Sequence, residues 1–272
     1  FVTGSSGFIG GHFINAVPNE VEIISLRRNK SKNKILFNRE IKWIEKEFYD
    51  LTSKDLSGVD AIFHFASVGV SPQEATWQEL YDFNVICTLT LLRMAKEAGV
   101  RRFIMAGSYL EYGLSANIYQ YIPTSAALLP ITAYASSKAA AFALAHSFCK
   151  SAKISFFYNR IFSTYGAGQF EGNLWPSLRR AAKNNEDFKM TSGSQIRDFI
   201  SVEDVALEFL NDLKSINEDG FKLNIRNICS GKGISILDFA NTWWKKWNAK
   251  GKLLIGVLPD RKDEPQRFVG EI

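Results

Sequence analysis

Phe1-Val2-Thr3-Gly4-Ser5-Ser6-Gly7-Phe8-Ile9-Gly10 opens the chain, and its reading decides the rest. An apolar stub runs into a turn with glycine at 4, 7 and 10, and the turn runs into an amphipathic stretch. Glycine permits the tight turn and lets a phosphate approach the backbone. The helix that follows offers free N–H groups and a positive dipole end to a pyrophosphate. A G-x-x-G-x-x-G turn between strand and helix therefore reads as a dinucleotide cradle, with Gly4, Ser6, Gly7, Phe8, Ile9 and Gly10 around the phosphates.

Working outward, Val21 to Leu26 reads as the next strand and ends at Arg27-Arg28. An acidic residue there would bind the ribose 2′-hydroxyl of NAD, whereas arginine suits the 2′-phosphate of NADP. Arg27 thus points to NADP(H), with NAD as the alternative. Phe48-Tyr49-Asp50-Leu51 follows, and Asp50 and Leu51 are expected near the adenine. Ala61 to Ser67 is an apolar strand ending at small residues, where Phe65, Ala66 and Ser67 leave room for a flat cofactor. His64, inside that strand, reads as structural. Leu80 to Ala98 reads as a long helix carrying Asn84, counted here with the cofactor residues, and Thr88. Arg102 to Ala106 is a strand that runs into Gly107-Ser108-Tyr109-Leu110-Glu111-Tyr112-Gly113. A serine at a strand's C-terminal end in an open α/β sheet stands where ligands bind.

Tyr134-Ala135-Ser136-Ser137-Lys138 opens an alanine-rich run that reads as helix. Positions i and i+4 share a helix face, so Tyr134 and Lys138 point the same way. A free phenol has a pKa of about 10, and a neighbouring ammonium lowers it. Such a pair can pass a proton to or from an oxygen while a hydride moves at the adjacent carbon.

Strands alternating with helices imply an α/β fold, a Rossmann-type doubly wound parallel sheet. The alternation loosens after Ile154–Tyr158. Residues 166–173 read as loop, 174–184 as helix, and further helices start at Val202 and Ser235. Trp243, Trp244 and Trp247 read as the packed face of the last helix rather than a sugar platform. The expected division is a dinucleotide domain over 1–165, with 196–230 returning to it, and a smaller C-terminal substrate-binding lobe from 166–195 and 231–272. The 272 residues, 46% hydrophobic, suffice for such a core. No run approaches the ~18 apolar residues of a membrane span, so no membrane partner is expected. The net charge is +5, with Lys and Arg spread along the chain. That suits a small anionic ligand and not nucleic acid. Cys87, Cys149 and Cys229 show no Cys-x-x-Cys spacing. This argues against zinc or a disulfide framework and for a reducing cytoplasm.

In combination these motifs resemble the extended short-chain dehydrogenase/reductases that act on nucleotide sugars, the NAD-dependent epimerase/dehydratase family. The resemblance rests on Thr3–Gly10, His64-Phe65-Ala66, Ser108 to Gly113, Tyr134-x-x-x-Lys138 and the run Arg197 to Val205. Arg160 to Gly166 and Asn227 to Gly231 look like the family's core strands. What it implies is a lobe for the dinucleotide and a smaller one for a nucleoside-diphosphate sugar. Ser108 and Tyr134 would face the reacting sugar oxygen, Lys138 would also hold the nicotinamide ribose, and Ile161 would lie against the cofactor. Ser163, Leu174, Arg197 and Arg261 would bind the nucleotide sugar. A homodimer through the Asn84 and Tyr134 helices is implied, with Ala139, Ala140 and Ala143 permitting close approach. The chain also departs from the pattern. The 4,6-dehydratases place Asp-Glu directly after the catalytic hydroxyl residue, where Tyr109 and Leu110 stand here, and GDP-fucose synthase-like enzymes place cysteine where Leu110 stands. Ser163 replaces a common asparagine and Cys87 a common glycine. Through Gly193 to Phe199 the later half is similar to the CDP-abequose synthase-like reductases of O-antigen sugar synthesis. The function implied is NADPH-dependent reduction of a nucleotide-linked 4-keto-6-deoxyhexose. The alternatives are a nucleotide-sugar 4-epimerase with retained NAD and a catalytically idle NADP(H)-binding protein.

Overall fold

The computed structural model describes residues 1–28, 33–70, 73–214, 220–260 and 264–272. Strand β1 (Val2–Thr3) leads through the glycine turn into α1 (Phe8–Ala16), then β2 (Ile24–Arg27), β3 (Lys42–Glu45) and β4 (Ala61–His64). Helix α2 (Trp77–Tyr81), a wide π turn (Asp82–Cys87) and α3 (Thr88–Glu97) follow as one run. Next come β5 (Arg102–Ser108), α4 (Ala133–Ala152) and β6 (Ser155–Ile161). The later half holds β7 (Ser163–Tyr165), α5 (Leu174–Asn184), β8 (Phe188–Lys189), β9 (Ile196–Ser201), α6 (Val202–Lys214) and β10 (Leu223–Ile228). It closes with β11 (Gly233–Ser235), α7 (Ile236–Lys246), β12 (Leu253–Leu254) and β13 (Arg267–Phe268).

Among the described residues, seven strands form one parallel sheet in the order β10-β6-β5-β4-β1-β2-β3. The chain winds outward from β1 to β3, then returns to β4 and winds the other way. This is the doubly wound sheet that the alternation implies. The reversal opens a crevice beyond the C-terminal ends of β1 and β4, the place where such sheets bind ligands. Helices cover both faces, so the central strands β1, β4, β5 and β6 are largely buried, and β6 is buried along its whole length. On one face Leu91, Leu92, Phe103, Ala141, Ala145 and Phe156 pack between the sheet and α3 and α4. On the other Phe13, Ile14, Phe63, Ile104, Val205 and Phe209 pack beneath α1 and α6. Each such Leu, Ile, Val or Phe side chain stabilises the fold by roughly 1.5–3 kcal/mol.

Helix α4 starts where Thr132 accepts a hydrogen bond from the Ala135 N–H, and it ends at Lys153, in the left-handed region at φ 57°. The alanine content between gives high helix propensity and a thin cylinder. The run expected over Leu80–Ala98 starts three residues earlier, at Trp77, and holds the π turn in its middle. A second, small sheet centres on β9, which pairs with β7, β11 and β13. Strand β9 stands in this sheet, whereas α6 and β10 rejoin the large one. Trp243 and Trp247 lie 5.0 Å apart and pack with Trp175 and Tyr165. The tryptophans of α7 are thus a packed face. No helix among the described residues is long and apolar enough to cross a membrane.

Candidate active site

The glycine turn is shaped by close approaches. Gly4 has φ +74°, and a Cβ on it would sit 2.6 Å from the Ala66 nitrogen. A Cβ on Gly10 would sit 2.4 Å from the Gly4 oxygen. The turn thus lies against Phe65 and Ala66 because Gly4 carries no side chain, and α1 starts close against the turn itself because Gly10 carries none. Gly7 caps α1 without a side-chain hydrogen bond, and the first turn of α1 holds no acidic residue. The leading N–H groups, including those of Phe8 and Ile9, are therefore open to an anion with no carboxylate competing. The Ser6 carbonyl is tied to the Lys34 N–H at 3.0 Å. These features fit a dinucleotide pyrophosphate.

A buried chain of hydrogen bonds runs from this turn to the helix of Tyr134. The Thr3 hydroxyl accepts from the Ala66 N–H and so donates to His64 Nδ1, at 2.7 Å. The Thr88 hydroxyl donates to the Asn84 carbonyl and so accepts from His64 Nε2, at 3.1 Å. These partners assign the Nε2–H tautomer. Burial lowers the His64 pKa to about 3, and the Lys138 charge pushes the same way. His64 is the structural histidine expected. Asn84 is the next link. Its Oδ1 accepts from Ser67 Oγ and the Val68 N–H, and its Nδ2 donates to the Val68 carbonyl and Ser137 Oγ. An amide has four such places, and all are filled by protein. Asn84 thus ties the segment after β4 to α4. Ser137 passes the link on to the Tyr134 carbonyl at 2.8 Å.

Ser108 ends β5 and starts a short turn at Tyr109–Tyr112. Its hydroxyl accepts from the Leu110 N–H at 3.3 Å, and its own N–H donates to Glu111 Oε1 at 2.7 Å. This is a capping box. Glu111 is fully buried and also accepts from the Tyr158 hydroxyl at 2.6 Å and Arg160 Nε at 3.0 Å. The Arg160 guanidinium lies over the rings of Tyr112, Phe142 and Tyr158, at 4.9, 4.6 and 5.5 Å. Glu111 and Arg160 thus fix the backbone of Ser108. Neither was among the expected site residues, although the Ser-x-x-Glu spacing at 108–111 is a readable capping signal. Tyr109 stacks on Phe162 at 5.3 Å and meets Phe268 edge-on at 4.9 Å.

Tyr134, one turn from Lys138 on α4, is half-buried. Its pKa lies well above the ordinary value. Burial is the main cause, the Glu111 and Tyr109 charges add to it, and a hydrogen bond with Ser67 opposes it. This corrects the expectation that Lys138 lowers it. The Lys138 ammonium instead donates to the Ala106 carbonyl at 2.7 Å, and burial lowers its pKa to about 8. Ile161 ends β6 in register with Ser108. The glycine turn, Phe65–Ser67, Ser108, Tyr134, Lys138 and Ile161 are accordingly gathered at the C-terminal ends of the central strands β1, β4, β5 and β6.

The remaining expected residues lie further out. Asp50 is exposed and Leu51 buried, at the end of a short helical turn that starts at Phe48. Arg27 ends β2 and is engaged by Glu45 of β3. Ser163 lies in β7, in register with Phe199. Leu174 is the first residue of α5, whose cap Asn173 makes no side-chain bond to it. Arg197, in β9, is buried, and its guanidinium donates to the Ile196 and Gln266 carbonyls and to Glu264. Asp198, beside it, holds the turn after β10 through the Ser230 and Gly231 N–H groups at 2.7 and 2.9 Å. Arg261 lies outside the described residues.

Comparison with known proteins adds an independent finding. Residues 1–224 match the sequence profile described as the NAD dependent epimerase/dehydratase family. The CDP-abequose synthase of Salmonella muenchen is 26% identical over 97% of this chain and 85% of its own length. The UDP-glucose 4-epimerase of Haemophilus influenzae is 27% identical over 91% of this chain and 82% of its own. The structure of a UDP-N-acetylglucosamine 4-epimerase from Methanobrevibacter ruminantium superposes with a TM-score of 0.88 at 24% identity, covering 100% of this chain and 88% of that one.

Proposed function

Because the chain belongs to the NAD-dependent epimerase/dehydratase family, we propose that it reduces the C4 carbonyl of a nucleotide-linked 4-keto-6-deoxyhexose with NADP(H), in deoxysugar synthesis. The observation that carries this reading is Tyr134, one turn from Lys138 on α4, beside Ser108 and a turn whose next two side chains, Tyr109 and Leu110, hold no carboxylic acid or thiol. A phenol that keeps its proton is the form a reductase requires at the start of turnover. Elimination of water, or inversion next to the ketone, would need a further acid or base at position 109 or 110, and Glu111, the one acid of the turn, is buried against Arg160.

In this reading residues 1–165, with α6 and β10, hold the dinucleotide, and 166–195 with 231–272 hold the nucleotide sugar. A nicotinamide cofactor bound along the glycine turn supplies the hydride. The free N–H groups of α1 hold its pyrophosphate. Ser108, set by Glu111, donates a hydrogen bond to the C4 oxygen and steadies the charge that develops there. Tyr134 delivers its proton to the same oxygen. Lys138, charged below about pH 8, turns from the Ala106 carbonyl to the nicotinamide ribose. Arg197 and the first N–H groups of α5, at Leu174, hold the diphosphate, Arg197 by its two-pronged fork. Trp77 and Ile86 stand exposed along the α2–α3 run, and a second copy of the chain covers them in a homodimer; a monomer by light scattering at micromolar concentration would contradict that.

The second reading is a 4-epimerase with retained NAD. It is favoured by the engagement of Arg27 by Glu45, which leaves that arginine partly spent before any phosphate arrives. One experiment separates the two. The purified chain is offered a panel of nucleotide-linked 4-keto-6-deoxy sugars with NADPH, and the products are identified. The reductase consumes one NADPH per sugar, carries little bound NAD, and loses about 10²–10⁴-fold of its rate in Tyr134→Phe. A chain that arrives loaded with NAD and interconverts two hexose nucleotides without added cofactor is the epimerase.

A further inference from the structure

We propose that Glu45 sets the balance between NADP(H) and NAD(H) by competing with the 2′-phosphate for Arg27. The proposal rests on the NADP(H) reading above, which assigns Arg27 to that phosphate. Arg27 is the last residue of β2, one step beyond Leu26, whose register partner Thr3 ends β1 just before the glycine turn. Its own register partner, across the β2–β3 ladder, is Glu45. Nε and Nη2 of Arg27 both donate to Glu45 Oε1, Nε at 2.9 Å. The guanidinium lies over Trp43, 4.4 Å from the ring centroid. Trp43 thus supports the guanidinium from one side, and Glu45 holds its Nε–Nη2 edge. The neighbouring Lys46 is occupied elsewhere, by Asp55 at 2.7 Å.

The pair stands at the rim of the sheet, with side chains 28% and 48% exposed. An exposed ion pair is weak and exchangeable, so a phosphate can reach Arg27. A guanidinium has five N–H groups, and Glu45 occupies the Nε–Nη2 edge. A 2′-phosphate must either evict Glu45 from that edge or take the Nη1 side with a carboxylate close by. Both routes penalise the phosphorylated cofactor. Neither penalises a free ribose, whose hydroxyls can donate to Glu45. The arrangement lets one site accept both cofactors, with Arg27 favouring one and Glu45 the other.

The test is direct binding. The purified chain and its Glu45→Gln and Arg27→Leu variants are titrated separately with NADPH and NADH, following the quench of protein fluorescence. Glutamine keeps the size of the side chain and removes the charge at an exposed position. Glu45→Gln should tighten NADPH by about 2- to 10-fold, the range of a partly exposed charge contact, and leave NADH unchanged or weaker. An unmoved ratio of the two Kd values, or equal movement of both, overturns the competition. Arg27→Leu tests the underlying assignment and should weaken NADPH more than NADH. If only Arg27→Leu moves the ratio, the competition fails and the NADP(H) reading stands. If neither variant moves it, both fail. If only Glu45→Gln moves it, Glu45 acts without Arg27 and the competition is again overturned.

Discussion

Arg160–Glu111 and Arg27–Glu45 are the same ion pair in two settings. The first has side chains 2% and 0% exposed and is enclosed by three aromatic rings. The second lies on a single ring at the rim and is open to water. Buried, the carboxylate has further partners, the Ser108 N–H and the Tyr158 hydroxyl. At the rim, both bonds that the pair makes run to one glutamate oxygen, Oε1. Two charges taken out of water bind each other firmly only when their remaining lone pairs and protons are also satisfied. Charges left in water hold each other loosely. Burial, more than the pairing itself, therefore decides that Glu111 is a fixture of the turn and that Glu45 can yield.

The largest effect should come from breaking both pairs by the same change. Glu111→Ala leaves the Arg160 charge buried and unpaired, and should cost about 3–5 kcal/mol of stability. Glu45→Ala should cost about 1 kcal/mol or less. Urea unfolding of the two variants beside the parent chain reads both values, and similar losses would break the comparison.

A smaller effect tests whether burial acts on groups that carry no charge. His64 is neutral in the folded chain because burial lowers its pKa to about 3, against about 6.5 when unfolded. Between those values the unfolded chain binds a proton that the folded chain refuses. Stability contributed by His64 is thus complete above about pH 6.5 and falls as the pH drops, by up to about 1.4 kcal/mol per pH unit. His64→Gln removes this contribution. Unfolding of parent and variant between pH 7 and 4.5 should therefore show a shallower fall in the variant, and parallel curves would show that the site does not resist protonation.

Much of this was readable in the residues, for identifiable reasons. The glycine turn and the alternation of strands are local patterns, and the large sheet follows from them. Helix α5 starts and stops where expected, because Leu174 to Asn184 carries its own apolar stripe. Less was readable where sequence-distant groups meet. Glu45 lies 18 residues from Arg27, and only the β2–β3 register brings them together. Asn84 sits in a π turn that no spacing announces, and its amide is filled by partners from Ser67, Val68 and Ser137. The i, i+4 rule places Lys138 on the face of Tyr134 but does not say where the ammonium points. It points to the Ala106 carbonyl, and burial then dominates.

The turn at 108–111 has a consequence for how such a chain can diversify. Its two ends, Ser108 and Glu111, hold each other, and Glu111 is anchored further by Arg160 and Tyr158. The two middle positions, Tyr109 and Leu110, contribute no side-chain bond to that anchorage. The backbone is therefore a socket whose inserts can change while its frame stays put. An acid or a thiol could enter at 109 or 110 by single substitutions, limited mainly by the aromatic shelf of Phe162 and Phe268 against which Tyr109 leans. A lineage built on this frame can move between reactions without refolding the turn that presents its serine.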